Sequence, residues 1–310
     1  MDGQELLRQV LIQADRLDRH GRGMETGIAG LRIFRSPRPT EIEHEVFDPV
    51  YCLVLQGENH VRHEGAAHVV GPMHSFFVPI DLPLMSRIAR ASFATPYVSL
   101  ALRLDMALLA ELGAEMQADG GTGEPGGGLR PVSADPHIVD ALARLVALIG
   151  QPEVACRVLE PLIRRELHYR LIASPHSAML RGLLRPGGTA ERIAHAVRTI
   201  RRAYAAPLAV EALAKGARMS ASGFHAHFRA VTGTTPLQFQ KRLRLIEARR
   251  LLQTGGHGVS AAAFAVGYES PTQFSREFSR RFGLAPSEVL RPTLRLSPRP
   301  TLRPTLRVAA

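Results

Sequence analysis

SASGFHAHFRAVTGTTP at residues 220–236 returns as SPTQFSREFSRRFGLAP at residues 270–286. A constant offset of 50 residues aligns Ser220 with Ser270, Phe224 with Phe274, Phe228 with Phe278, Gly233 with Gly283 and Pro236 with Pro286. Each conserved spacing has a physical reason. The Ser hydroxyl caps a helix N-terminus. The two Phe, four apart, share one helix face and bury it. Gly ends the helix in the left-handed conformation. Pro then opens the next helix, where its missing N–H costs nothing. Ahead of each copy lies a short apolar segment and a tight turn, Val210–Gly216 and Val259–Val266 with Gly267. Each copy is therefore a helix, a turn and a sharply started second helix, the helix-turn-helix unit.

With the Phe pairs turned inward, the opposite face of each second helix is solvent. That face carries Ser222, His225, Ala226 and Arg229 in the first copy, and Thr272, Gln273, Arg276 and Arg280 in the second. N-terminal outward positions of such a helix meet base edges in the major groove. Gln pairs adenine, and Arg pairs guanine bidentately, so Arg276 offers both charge and geometry. Later and flanking positions suit phosphates: Arg229, Lys241, Arg280 and Arg281. Gln273 also completes a capping-box pattern with Ser270. Between the copies, 236–253 reads as one helix of about 27 Å, with Leu243, Ile246, Leu251 and Leu252 apolar and Lys241, Arg242, Arg244, Arg249 and Arg250 basic. As a strut it would hold two recognition helices about one DNA turn, ~34 Å, apart.

Charge agrees with this division. The 310 residues hold 39 Lys+Arg against 28 Asp+Glu, a formal charge of +11. Residues 1–189 carry 19 basic and 22 acidic side chains, net −3, and residues 190–310 carry 20 and 6, net +14. Such asymmetry predicts a polyanionic partner for the second half. Five of those charges, however, sit in the last 20 residues, where Arg-Pro-Thr-Leu-Arg occurs at 291–295, 299–303 and 303–307. That segment reads as a disordered basic tail.

The first half has another character. Residues 1–23 read as an amphipathic helix through Leu6, Leu7, Val10, Leu11, Ala14 and Leu17. Short apolar segments follow at 42–47, 50–56, 68–70, 75–79 and 97–104, separated by Gly, Pro and Asp turns, which predicts a compact antiparallel barrel or sandwich. A helix is expected at about 106–117, a Gly-rich linker at 120–128, and connector helices at 136–149 and 152–172, the latter with Leu159, Leu162, Ile163, Leu167 and Leu171 on one stripe. Cys52 and Cys156 cannot make a disulfide framework, and no run approaches the ~20 apolar residues of a bilayer span. The start of the chain reads as lacking a secretory leader, and the cytoplasm is the expected compartment. Cys52 is expected as a buried small hydrophobe.

At these residues the chain resembles a known family. Residues 193–290, through PLAVEALAKGARMSASGFHAHFRAVTGTTPLQFQKRLRLIEARRLL and VGYESPTQFSREFSRRFG, look like the DNA-binding domain of AraC/XylS-type transcriptional regulators. LRIFRSPRPT, VYCLVLQGENHV and IDLP…YVSLALRLD look like the cupin-like N-terminal domain of one subgroup. The resemblance implies a one-component regulator. An N-terminal domain would sense or dimerise, and a C-terminal domain would bind double-stranded promoter DNA and recruit RNA polymerase. It implies Ser222, His225, Ala226, Thr272, Gln273 and Arg276 as base-facing, the positions that the outward-face argument also selects. Three departures stand out. Gly223 lies inside the first recognition helix, Ala226 is short for a base reader, and Ala262 is small for its core position.

The expected layout is α+β and multidomain: an N-terminal helix (1–23), a cupin-like sensor and dimerisation domain (24–118), linker and connector helices (119–189), an all-α double helix-turn-helix domain (190–290) and a basic tail (291–310). Effector-pocket candidates are Leu53, Leu55, Phe77, Val98 and Leu100 as the barrel interior. A homodimer through the N-terminal half is expected from its apolar stripes, and no membrane partner. No enzyme is expected, no catalytic residue and no cofactor, for no nucleophile elbow, phosphate loop or H-E-x-x-H occurs. His44, His60, His63, His68 and His74 lack the spacing of a metal-binding cupin, and His60 and His63 point opposite ways if they share a strand. A cupin-type metalloenzyme with an appended DNA-binding module and a non-specific nucleoid binder are the competing readings. Bound metal with turnover, and affinity without sequence preference, are their respective marks.

Overall fold

A computed structural model describes residues 2–17, 21–116, 129–174 and 177–290. The Gly-rich linker and the basic tail expected from the sequence lie outside these residues. The chain forms two compact units, and the boundary between Ile246 and Glu247 falls inside a single helix.

The first unit opens with α1 (Gly3–Leu17), then β1 (Gly21–Glu25), β2 (Leu31–Ser36), β3 (Glu43–Phe47), β4 (Val50–Gln56), β5 (Glu58–His63), β6 (Ala66–Val70), β7 (His74–Val78), β8 (Leu82–Arg90) and β9 (Tyr97–Arg103). After α2 (Met106–Glu115) and β10 (Val132–Ser133) it is helical: α3 (Pro136–Ala147), α4 (Glu153–Ala173), α5 (Ala178–Leu184), α6 (Thr189–Arg202), α7 (Val210–Gly216), α8 (Ala221–Thr232) and α9 (Pro236–Gln253). The strands make a six-stranded sheet, ordered β1-β2-β9-β4-β7-β10, and a four-stranded one, ordered β3-β8-β5-β6. Every pairing is antiparallel. An antiparallel body followed by helices is the α+β layout expected. The N-terminal helix is shorter than the 23 residues expected, because the chain has entered β1 by Gly21. Glycine is a poor helix former, and Gly23 sits at φ +39°.

Two cores divide the six-stranded sheet by strand parity. Leu53, Leu55, Val98, Leu100 and Leu102 pack with Leu6 and Val10 of α1 and with Ile138, Leu142 and Leu145 of α3. Cys52, Val54, Phe76, Val78, Tyr97 and Ala101 face the other way, with Val61, Val70 and Leu84 of the four-stranded sheet. The effector-pocket expectation is therefore corrected. Leu53, Leu55, Val98 and Leu100 lie on the helix-covered face, with the half-buried Phe77 packed against them, and not between the sheets. Both faces of β4 are apolar and buried, so alternation alone could not say which one looks inward. Cys52 is buried as expected, and burial pushes its thiol up to about 12.

The α4 stripe also divides. Ile163, Leu167 and Leu171 are buried, whereas Leu159 and Leu162 are exposed, beside exposed Val154 and Val158. His168 of the same helix is fully buried. Its Nε2 accepts the Asp105 N–H (2.9 Å), and its Nδ1 donates to the Arg164 carbonyl (2.8 Å). Those two bonds fix the neutral tautomer, and burial holds its pKa below the usual histidine range.

The second unit holds the C-terminal turns of α9, then α10 (Val259–Ala265), α11 (Pro271–Phe282) and α12 (Pro286–Leu290). Its core packs Tyr268 edge-on against Phe274 (ring centroids 5.3 Å apart), with Phe274 tilted against Phe278 (5.4 Å) and Phe278 against Phe282 (4.4 Å). Arg249 lies over the Phe282 ring at 5.1 Å.

Candidate nucleic-acid interface

The two copies of the repeat build the same local structure. Ser220 Oγ accepts the Gly223 N–H (3.2 Å), and Ser270 Oγ accepts the Gln273 N–H (3.3 Å). Phe224, Phe228, Phe274 and Phe278 have no solvent exposure. Gly233 and Gly283 both sit at φ +73° and close the helices in the left-handed conformation. Pro236 and Pro286 open α9 and α12. The helix-to-helix turns match as well. Met219 N–H reaches the Ala214 carbonyl and Arg218 N–H the Lys215 carbonyl; Tyr268 N–H reaches Ala263 and Gly267 N–H reaches Phe264. This is the Schellman pattern, and its left-handed residue is Arg218 (φ +53°) in the first turn and Gly267 (φ +86°) in the second.

These locks set which side chains face outward. Ser222, His225, Ala226 and Arg229 are exposed on α8, and Thr272, Gln273, Arg276 and Arg280 are exposed on α11. Gln273 does not close the reciprocal half of a capping box. Its side-chain amide donates to Glu277 Oε1 (3.3 Å), one helical turn on. Gly223 lies in the first turn of α8, where its amide is the one the Ser220 cap holds. A Cβ added there would stand 3.1 Å from Ser220 Oγ. Arg281 is half-buried, unlike Arg280, and burial draws its pKa below the usual arginine range.

The basic residues of α9 are mostly committed to the protein itself. Arg244 donates to the carbonyls of Tyr204 (2.7 Å), Ala205 (3.1 Å) and Ala206 (2.9 Å), tying α9 to the segment after α6. Gln240 adds a bond to Ala206 (2.7 Å). Arg242 pairs with Glu64 of the β5–β6 turn, Arg249 stacks on Phe282, and Arg250 pairs with Glu247 at 2.6 Å. Lys241 is partly buried.

Within the first unit the β-body and the first helix-turn-helix touch directly. Arg201 of α6 pairs with Asp48 and with the buried Asp81. At the β5–β6 turn, His63 is bonded to the Thr232 backbone and Glu64 packs against Gly233. Burial, and then the charge of Arg242, pull His63 down to about 4. His60 and His63 share β5 and lie on opposite faces, as alternation requires. Glu64, Arg201 and Arg244 carry no local signal for these roles, because their partners are 38 or more residues away. Arg218 had a local signal: it stands four residues past Ala214, the last apolar position of α7, where the helix ends.

Paired Ser-capped second helices, each held by two buried Phe, define a double helix-turn-helix protein with an antiparallel β-domain ahead of it. Known proteins agree. Residues 27–179 match the AraC-type transcriptional regulator N-terminus, and residues 213–292 match a helix-turn-helix domain. The chain belongs to the AraC/XylS-type transcriptional regulators. It is 29% identical over 157 residues to the HTH-type transcriptional activator RhaS of Escherichia fergusonii, a match spanning 50% of this chain and 55% of that protein. The fold is similar to that of ToxT from Vibrio cholerae, with a TM-score of 0.55 at 13% identity, covering 84% of this chain and 97% of the other. ToxT bound to an unsaturated fatty acid gives a TM-score of 0.51 at 11% identity, covering 88% and 96%. Among the described residues no helix is long and apolar enough to cross a membrane.

Proposed function

We propose that this chain is a sequence-specific, DNA-binding transcriptional regulator that responds to a small-molecule effector through its cupin-like N-terminal domain. The observation that carries the reading is the pair of matched helices with exposed polar N-terminal faces, Ser222, His225 and Ala226 on α8 and Thr272, Gln273 and Arg276 on α11. In this reading those six meet bases, and Arg229, Lys241, Arg280 and Arg281 meet phosphates. RhaS is named an activator, which favours recruitment of RNA polymerase. ToxT's fatty-acid complex favours an effector for the N-terminal domain. The exposed α4 stripe of Val154, Val158 and Leu162, at four-residue spacing, favours a homodimer. The protein acts in the cytoplasm. The domain limits follow the expected layout except that the N-terminal helix ends at Leu17, and the boundary at residue 190 falls just inside α6.

The test is fluorescence anisotropy of the full chain on its own upstream DNA and on scrambled DNA, across salt. Specific binding should exceed non-specific binding by about 10³-fold or more. Equal affinity overturns the reading. Arg276→Ala should cost about 1–3 kcal/mol on the specific site and relax one base position. Light scattering at micromolar concentration should give a dimer that Leu162→Asp dissociates.

A further inference from the structure

The outward face of the four-stranded sheet is concave. A groove of about 260 Å³ crosses it, floored by Ile42, Val69 and Met85 and edged by His60, Arg62 and Arg87. Strand register explains the grouping. His60 stands opposite Val69 on β6 and opposite Arg87 on β8, and Arg62 stands opposite Met85, so all five project from one face. The opposite face of the same strands carries Val61, Val70 and Leu84 into the core.

Two properties set this face apart from an ordinary solvated sheet. Its apolar floor is left open to water, with Ile42 41% and Val69 57% exposed. Its charge is of one sign: both fixed charges lining the groove are guanidinium groups, and no lining residue is acidic. Of the nearby acids, Glu58 shares the face of His60 and Arg62 but is engaged beside the groove, and two on β3 face the other way. Glu58 is held by His60 Nε2 at 2.7 Å and by Arg90 at 3.5 Å. Glu43 and Glu45 stand opposite Ser86 and Leu84, out of step with Met85, and so face away. Arg87 Nη2 lies 3.4 Å from His60 Nδ1, which steadies the rim.

We propose that this groove is a binding site for a small organic monoanion, an apolar and preferably planar body carrying one carboxylate. The body would lie on Ile42, Val69 and Met85, and the carboxylate would be taken by Arg62 or Arg87. The volume admits a bicyclic ring, since a cavity of ~150 Å³ holds benzene. Charge argues against the chain's own C-terminal segment as occupant, because residues 291–310 contain five Arg and no acid. Identifying the groove as the effector's entry point rests on the proposed regulatory reading; the binding site itself does not.

The chain has no Trp, so the fluorescence of 2-naphthoate can be followed directly. Titrated into the full-length protein, 2-naphthoate should bind with a dissociation constant on the order of 10–100 µM, the range open to a ligand of about a dozen heavy atoms. The neutral 2-naphthamide should bind at least about tenfold more weakly, the loss of one charge-assisted contact. Exchanging both rim arginines, Arg62→Gln with Arg87→Gln, should cost the carboxylate about tenfold while leaving the melting temperature unchanged, since both side chains are exposed. Val69→Asp should abolish binding. Equal affinity for acid and amide, or no effect of the double exchange, overturns the site. So does dissociation of a dimer by Val69→Asp, which would assign the face to a second copy. Anisotropy on upstream DNA with and without 2-naphthoate separates the two claims. Binding without a change in DNA affinity upholds the site and removes its regulatory role, and failure on DNA with intact naphthoate binding overturns the DNA reading alone.

Discussion

Glu64, in the turn between β5 and β6, forms an ion pair with Arg242 of α9. The two residues are far apart in sequence, and both side chains are largely withdrawn from water, 16% and 23% exposed. The pair joins the β-domain to the first helix-turn-helix while leaving Ser222, His225 and Ala226 exposed. A withdrawn pair that loses one member leaves the other uncompensated. Glu64→Gln should therefore lower stability by about 1–3 kcal/mol. Adding Arg242→Gln should recover part of that loss, as a double-mutant cycle on thermal or urea melts would read. Additive losses would show the charges to be independent.

Gly233 and Gly283 form a natural control for the same contact. Both adopt φ +73° at matched positions of the repeat. A Cβ on Gly233 would stand 2.5 Å from Glu64 Cγ, whereas one on Gly283 would meet nothing within 4 Å. Alanine at either site should cost about 1–2 kcal/mol for the left-handed backbone. Only Gly233→Ala should add the displacement of the β5–β6 turn, seen as faster amide exchange in residues 58–70. Equal effects at the two glycines would refute that contact.

His63 makes the docking sensitive to acid. Its ordinary value is near 6.5, and burial with Arg242 brings it to about 4 in the folded protein. Below pH 6.5 the unfolded chain binds a proton that the folded one refuses, so stability falls as pH drops toward 4 and levels off below that. Glu64, His68, Arg242 and the Thr232 carbonyl are the groups around it. His168, also held low by burial, contributes in the same direction. Melts of the wild type and of His63→Gln at pH 7 and 4.5 should show a shallower loss in the variant; parallel profiles would remove His63 from the effect.

Arg218 occupies a left-handed position that its counterpart, Gly267, fills without strain. Its side chain is exposed, so the backbone sets the outcome. Arg218→Gly should stabilise the first helix-turn-helix by about 0.5–1 kcal/mol, net of glycine's greater unfolded-state freedom. A rise in melting temperature is the readout.

Phe278 is fully buried between Phe274 and Phe282. Phe278→Ala should cost about 3–5 kcal/mol by cavity formation. Hydrogen exchange should localise the loss to residues 247–290, the second compact unit, with protection of β4 and β9 retained.

The repeat was legible in the sequence because every part of it is local. A Ser cap, Phe at four-residue spacing, a left-handed Gly and a leading Pro act within one helix and its ends, so residues 220–236 and 270–286 determined two helix-turn-helix units and their outward faces. The N-terminal β character was readable from turn residues, but β1, β2, β5 and β8 were not distinguished, since GRGME, LRIFRS, ENHVRH and LPLMSRIAR carry too few consecutive apolar residues to stand out. What only the tertiary structure decided depends on partners distant in the chain. It turned Leu53, Leu55, Val98 and Leu100 toward α1 and α3, because a strand apolar on both faces fits either orientation until its neighbours are placed. It split the α4 stripe, and it assigned Arg242 to Glu64, Arg244 to the carbonyls after α6 and Arg201 to Asp48 and Asp81. A basic side chain reads the same in sequence whether it meets a phosphate or a carboxylate; only the fold supplies the partner.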